Sequence, residues 1–267
     1  MIHKTAIIES GSEIGKDVSV GPFSYIESGA KIGDGCVIGS HVTIMRHTIL
    51  GSKCQVHAGV VLGDLPQDLG FAGGESFVKI GVNCVIREGV TIHRGTKPGT
   101  ETVIGDGCFL MAFSHCAHNV KLGNNVILAN NVMLGGYVEV GDKAFISGGT
   151  GVHQFVHIGR LAMVGGNSGL SKDLPPFCTV RSISFNTVAG MNIVGMRRAG
   201  LSPEERAQIK KAFKMLYCSG LNVKQAVEHM KPVFPSGPAQ EFWQFVEQSK
   251  RGICKMDDGE EIPVHDE

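Results

Sequence analysis

Eleven histidines stand in this 267-residue chain, and three of them keep company that suits acid–base chemistry. Phe113-Ser114-His115-Cys116-Ala117-His118-Asn119 holds two, and Val152-His153-Gln154 holds the third. Imidazole titrates near neutral pH, so a histidine held beside a hydroxyl can take its proton as a general base. A lone surface histidine is ordinarily solvated and idle. Polar groups gathered around it change that, and Gln67-Asp68-Leu69 supplies a carboxylate and an amide for which a packed core has no use. The eight cysteines read differently. No two are spaced C-x-x-C, and Cys36, Cys54, Cys84, Cys108 and Cys116 fall on positions that point inward, so they read as packing thiols of a reducing compartment.

What positions these groups is a repeat. Every sixth residue from Ile2 to Leu170 is Ile, Leu, Val or Cys, except Asp68, Gly74 and Pro98. Helices repeat at about 3.6 residues and strands at 2, so a six-residue phase held this long marks a repeat array. Gly often follows the apolar residue, as at 15, 21, 33 and 39, and the residue four past it is small or β-branched, as at Val18, Ser24, Ala30 and Cys36. One large and one small inward site describe a flat side of a narrow coil. Asp34-Gly35, Asp106-Gly107, Asn124-Asn125 and Gly141-Asp142 are residue types that tolerate the positive φ of a tight corner. Three sides close a coil of about 18 residues, coils stack as parallel strands about 4.8 Å apart, and roughly nine of them build a prism on the order of 45 Å long. The spacing shows a coil and not its hand. His118 then lies two residues past an inward site, on an outward corner, and His153 lies just outside the prism further along. Two segments, 64–79 and 97–103, carry corner-breaking Pro66, Gly70, Gly73, Gly74 and Pro98, yet the phase resumes at Ile80 and Ile104. They read as loop excursions, the usual carriers of binding residues on repeat folds.

The hexads stop at Asp173-Leu174-Pro175-Pro176, and an irregular stretch is expected to about 190. Ser202-Pro203-Glu204-Glu205 is a helix start, with Ser as N-cap, Pro in the first turn and Glu three past the cap. It leads through Ala207 to Tyr217. Asn222 caps a second helix reaching Met230, and Pro238 to Lys250 forms a third. The expected division is therefore a prism over 1–190 and a helical domain over 191–267, whose acidic end from 255 onward is expected to fray. Net charge is zero with no basic cluster, which argues against nucleic acid, and the hydrophobic content of 42% suffices for a core. No apolar run approaches transmembrane length and the hexads begin at Ile2, so a soluble, cytoplasmic, not membrane-spanning protein is expected.

The repeat resembles that of the hexapeptide acyltransferases, and the resemblance implies an all-β left-handed parallel β-helix followed by a C-terminal α-helical domain. The general rule for parallel crossovers predicts the opposite hand. Gln67-Asp68-Leu69, Ile92-His93-Arg94-Gly95-Thr96, Ser114-His115-Cys116-Ala117-His118, Val152-His153-Gln154-Phe155, Lys172-Asp173-Leu174-Pro175-Pro176, Asn192 and Arg197-Arg198-Ala199-Gly200 are, in that order, similar to the UDP-N-acetylglucosamine acyltransferases that begin lipid A synthesis. That likeness implies transfer of an R-3-hydroxyacyl chain from acyl carrier protein to the 3-hydroxyl of the UDP-sugar, with no cofactor and no metal, in a homotrimer with active sites between prisms. By the same likeness His118 is the general base and the backbone N–H of Gly136 holds the oxyanion, a donor typically worth about 3 kcal/mol. Gln67, Asp68, His115, His153 and Gln154 match sugar- and substrate-binding positions, Asn192 and Arg198 the nucleotide end, and Gly166 the end of the acyl groove. The chain departs from the family at Asn119 (usually Asp), Gly70 (Lys), Tyr137 (His), Val194 (Glu) and Ala199 (Arg), and Arg181-Ser182-Ile183-Ser184 replaces a Gly-Asn segment. Asn119 can orient the base but cannot stabilise imidazolium by charge. An acceptor with a 3-amino group would need that charge less, so N-acylation is a second reading. A third is a metal hydratase like the γ-carbonic anhydrases, which share the coil; their zinc site is H-x-x-x-x-H, whereas His115 and His118 are three apart. A purely structural or assembly protein would leave the two binding-type loops unexplained.

Overall fold

The computed structural model describes residues 1–256. The six-residue repeat becomes a three-sided parallel coil. Face one is a sheet of nine strands running from Ile7–Ile8 to Gly169–Leu170, face two has eight from Glu13–Ile14 to His157–Ile158, and face three starts at Ser19–Val20 and has eleven. Each strand pairs in register with one from the next coil, so Ile8 lies over Ile26 and Ile14 over Ile32. Both inward sites are filled as the period demands: Ile26, Ile44, Leu62 and Ile92 in the large one and Ala30, Val42, Cys54 and Val90 in the small one are fully buried. Cys36, Cys84, Cys108 and Cys116 are buried free thiols in the same core.

The glycine after the large residue has a steric cause. At Gly21 an added Cβ would stand 2.6 Å from the backbone of Gly39 in the next coil, so any side chain would hold the coils apart. Corners are less particular than their composition suggests. The third corner residue has positive φ throughout, and besides Gly35, Gly107 and Asn125 it includes Phe23, Phe113, Tyr137 and Leu161. At Gly141-Asp142 the left-handed residue is the next one, Lys143 (φ 57°). Asp142 caps instead: its carboxylate accepts from Asn124 N at 2.7 Å, and Asn124 Oδ1 accepts from Asp106 N at 2.9 Å. The folded prism supplies the strain energy that an isolated turn could not, so bulky residues occupy αL.

Two excursions leave the edge between faces one and two. The first spans 65–76 and the second 94–100, between the flanking strands Val61–Asp64, Phe77–Ile80, Thr91–His93 and Glu101–Ile104. Val61 pairs with Thr91 and Thr91 with His115, offsets of 30 and 24 residues where His115 and Met133 are 18 apart. The extra lengths are multiples of six, which is why the phase survives them.

The coil does not stop at Leu170. Ile158 bridges Leu174, Val164 pairs with Val180 and Gly169 bridges Phe185, offsets of 16 residues that mark one more coil, shortened by two and thereby out of phase with the hexads. Thr187–Met191 returns antiparallel to Cys178–Val180, so much of the segment expected to be irregular is strand.

Four helices follow: α1 (Ile193–Arg198), α2 (Pro203–Tyr217), α3 (Val223–Val233) and α4 (Gly237–Gln248). α1 was not foreseen, because six residues are too few to show a period. Ser202 with Glu205 and Asn222 with Gln225 close full capping boxes. α2, α3 and α4 bury Ile209, Phe213, Met230, Phe242 and Trp243 between them, and Arg160 of the prism pairs with Glu241 of α4 at 2.8 Å. The end expected to fray begins instead as a strand, Lys255–Met256 pairing with Thr187 and Val188, and its remainder, 257–267, lies outside the described residues.

Candidate active site

The one–two edge gathers most of the residues singled out above. His118 and Asn119 form its corner in one coil, Gly136 and Tyr137 in the next, His153, Gln154 and Phe155 in the one after, and both excursions fold over it from below. Although His118 sits on a corner, it is only 8% exposed. Asp68 of the first excursion and the ring of Tyr137 cover it.

Hydrogen bonding fixes the His118 tautomer. Asn119 Oδ1 accepts the Thr96 N–H at 3.0 Å, so the atom facing His118 Nδ1 at 3.1 Å is an acceptor. Nδ1 must therefore carry a proton, so in the neutral imidazole the lone pair is on Nε2. Nε2 points at Asp68 Oδ2, 3.7 Å away, a gap beyond a hydrogen bond. Asp68 is itself fastened: Oδ2 accepts from Thr96 Oγ1 at 3.0 Å and Oδ1 from Gly70 N at 2.8 Å. Those bonds, the Gly70 one foremost, hold its carboxyl below the usual carboxylate range, so it is an anion at neutral pH. Asn119 N donates to Thr102 Oγ1 at 2.8 Å, which donates on to His93 O at 2.6 Å. The base is tied through that relay to the strands beneath it.

Gly136 is a glycine because of His118. An added Cβ would stand 2.4 Å from His118 Cε1 and 2.6 Å from Nε2, so the ring lies flat over the bare backbone. At some corners of the two–three edge the corresponding N–H is capped by the next coil, as Lys16 N is by Asp34 and Val82 N by Asp106. No such cap covers Gly136 among the described residues, which leaves its N–H open beside the base. Above it the rings of Tyr137 and His118 meet edge to face with centroids 5.3 Å apart, and Tyr137 stacks on Phe155 at 4.8 Å.

His115 lies on face one, bonded through Nδ1 to Thr91 Oγ1 at 2.7 Å and set edge to face against His93. Burial, with His93 beside it, pushes its imidazole down to about 4, and burial likewise lowers His93, so both are neutral at neutral pH. From His115 a groove of about 430 Å³ runs up face one past Met133, Gly151 and Gly169 to Phe185. Gly151 and Gly169 give it depth by having no side chains.

Other residues lie apart. Gln67 and Gln154 are exposed on the site edge, and His153 meets Arg251 at 3.3 Å, just past α4. Asn192 caps α1 through its oxygen and donates from Nδ2 to Leu161 O at 2.9 Å, on the two–three edge. Arg198 ends α1. Gly166 is on the three–one edge, where an added Cβ would lie 3.2 Å from Gly148 O. One chain therefore joins His118, Asp68, Gly136 and His115, sets Gln67, His153 and Gln154 exposed on the rim of that edge, and leaves Asn192 and Gly166 on other edges and Arg198 at the end of α1. Thr96, which holds both Asp68 and Asn119, had no role from the sequence; its place under Asp68 depends on the register of two excursions, which spacing does not show. Among the described residues no three His, Cys, Asp or Glu side chains converge as a metal site. None of the helices there is long and apolar enough to cross a membrane.

A left-handed parallel β-helix built of hexapeptide repeats, with a helical C-terminal domain and a buried histidine beside an open backbone N–H, has the architecture of a hexapeptide-repeat acyltransferase. The bacterial transferase hexapeptide profile matches residues 11–46, 29–64 and 101–136, and the profile of the second domain of UDP-N-acetylglucosamine O-acyltransferase matches 173–254. The acyl-[acyl-carrier-protein]–UDP-N-acetylglucosamine O-acyltransferase of Thermodesulfovibrio yellowstonii is 44% identical over 256 residues, 95% of this chain and 99% of that one. The UDP-N-acetylglucosamine acyltransferase structure from Campylobacter jejuni superposes with TM-score 0.89 at 38% identity, over 96% of this chain and 99% of that one. The Francisella novicida structure gives 0.92 at 34%, over 97% and 95%. The chain belongs to the UDP-N-acetylglucosamine O-acyltransferase family.

Proposed function

We propose that this chain transfers an R-3-hydroxyacyl group from acyl carrier protein to the 3-hydroxyl of UDP-N-acetylglucosamine, the first step of lipid A synthesis. The observation that carries the mechanism is the His118 tautomer, with its proton on Nδ1 and its Nε2 lone pair open toward Asp68. Nε2 takes the hydroxyl proton as the oxygen attacks the thioester carbonyl. The tetrahedral oxyanion is held by the Gly136 N–H, and the imidazolium by the Asp68 carboxylate. Collapse breaks the carbon–sulfur bond, and the proton on Nε2 passes to the departing thiolate. Asp68 thus supplies, from the first excursion, a charge that Asn119 lacks. With that charge present, a hydroxyl acceptor is served, and the case for a 3-amino acceptor weakens.

Asp68, Gln67, His115, His153 and Gln154 contact the sugar in this reading, and Asn192 and Arg198 the nucleotide. A homotrimer accounts for exposed apolar side chains along face one and its edge with face three, among them Met133 at 54%, Phe113 at 64% and Phe185 at 67%. Incubating the purified protein with 3-hydroxyacyl carrier protein and either UDP-N-acetylglucosamine or its 3-amino analogue, then weighing the products, tests the acceptor. An ester on the first is expected. Amide on the analogue with no ester would overturn it.

A further inference from the structure

Asp68 faces His118 because the excursion that carries it is held in one shape, and its bonds to Thr96 and Gly70 are only part of that hold. Its tight turn closes by Phe71 N donating to Asp68 O at 3.0 Å, which leaves the Phe71 ring aimed back toward the prism. There it meets Arg94, whose guanidinium carbon lies 5.5 Å from the ring centroid. Arg94 leads off the second excursion, with its backbone N–H bonded to Asp64 O at the root of the first at 3.1 Å. It is only 9% exposed, and its buried Nε has no hydrogen-bond partner. Glu27, the carboxylate whose charge it senses, is already committed to Arg46 through Nε at 2.7 Å. A guanidinium is always charged, and one stripped of water and of a carboxylate is drawn strongly to the face of a ring.

We propose that Arg94 and Phe71 form a cation–π latch that sets the position of Asp68 over the acceptor site. Both are positioning residues, since neither touches reacting atoms, and the inference rests on the reading of Asp68 as a sugar contact. The latch joins the root of the first excursion, through Arg94, to the turn that carries the carboxylate. Without it, Asp68 keeps its bonds to Thr96 and Gly70 and the far end of the loop keeps Gly99 N on Glu75 O, but the turn between them loses its contact with Arg94.

The test separates the ring's π face from its bulk. Phe71→Tyr keeps the face, whereas Phe71→Leu keeps apolar volume without it. Phe71→Leu should raise KM for the sugar nucleotide about tenfold, on the scale of a desolvated cation–π contact, and lower kcat as well, because Asp68 also faces the imidazolium, with the carrier-protein KM within about twofold of wild type. Phe71→Tyr should match wild type. Arg94→Gln should copy Phe71→Leu, and the double variant should be no worse than either alone, since both remove one contact. Because Arg94 is buried, its variant could fail to fold; the Phe71 pair alone then decides. Asp68→Ala is measured beside them. If it raises KM while Phe71→Leu does not, or if Phe71→Tyr is as poor as Phe71→Leu, the latch is overturned and the reading of Asp68 stands. If Asp68→Ala leaves KM unchanged, that reading is overturned, and the latch with it.

Discussion

His118 is held by bonds that fix which nitrogen is the base, so its removal should act on chemistry and not on folding. His118→Ala should lower turnover by a factor of at least about 100 with the circular dichroism of the coil unchanged. Normal turnover would sink the mechanism. Asn119 accepts from Thr96 N and faces His118 Nδ1 with the same oxygen. Asn119→Asp keeps that acceptor and adds a charge, so its activity with a hydroxyl acceptor should match or exceed wild type. Asn119→Ala removes the acceptor and should fall well below both; equal rates in all three would show that residue 119 does not touch the base. His115 makes a different prediction, of stability against pH. The folded chain refuses a proton there until about pH 4, because the ring is buried against His93. The unfolded chain accepts one near the ordinary histidine value of about 6.5. Between those limits the unfolded state binds more protons, so stability falls as pH drops through that window and is level above it. Allowing for the ring's partial exposure, the loss is about 2 kcal/mol. His115→Gln should flatten that part of a melting-temperature profile, and an unaltered slope would assign it elsewhere.

At the scale of elements, the strand Glu101–Ile104 supports the site through one buried hydroxyl. Thr102 Oγ1 donates to His93 O and accepts from Asn119 N, so Thr102→Val keeps the shape and strands a buried acceptor and a buried donor. It should destabilise the protein by about 2 to 4 kcal/mol, seen as a lower denaturation midpoint, whereas Thr43→Val on face one should stay within about 0.5 kcal/mol. Such a relay is not legible in a sequence, although the element that bears it is. The hexad phase marks every inward site from Val18 to Leu170, because burial inside a coil three strands round leaves no latitude at those positions. Corner conformation was legible only in part, since the coil imposes positive φ on Phe113 and Tyr137 as firmly as on Asn125. The last coil escaped because it is two residues short, and α1 because it has less than two turns. Of the site, the residues on one corner could be read from their spacing. Thr96 and the Arg94–Phe71 contact could not, because they arise where two excursions of different length fold onto each other.

Taken whole, the proposed site spans two edges of the prism. His118 lies on the one–two edge and Gly166 on the three–one edge of the same prism, with the breadth of face one between them. A long acyl chain running from the proposed base to Gly166 has two routes, across face one of a single prism or from one prism onto another. In the proposed homotrimer, three prisms packed along face one would bring together the edges flanking that face on adjacent subunits and open the second route. If Gly166 ends the acyl groove, Gly166→Met fills that end with several methylenes' worth of volume. At about 0.8 kcal/mol for each buried CH₂, blocking three or four should cost a long donor roughly 2 to 3 kcal/mol and shift preference to a shorter chain without abolishing activity. The partition between subunits then follows from mixing. By these predictions His118→Ala chains transfer at most about a hundredth as fast as wild type, and Gly166→Met chains transfer only short acyl groups. If base and groove end come from different chains, refolding the two variants together creates sites that pair an intact His118 with an intact Gly166, and long-chain transfer returns. If they come from one chain, every site with a working base also has a blocked groove, and the mixture transfers only short chains. Recovery of long-chain product in the mixture, measured against each variant refolded alone, is the expected result; its absence would place base and groove end in a single subunit.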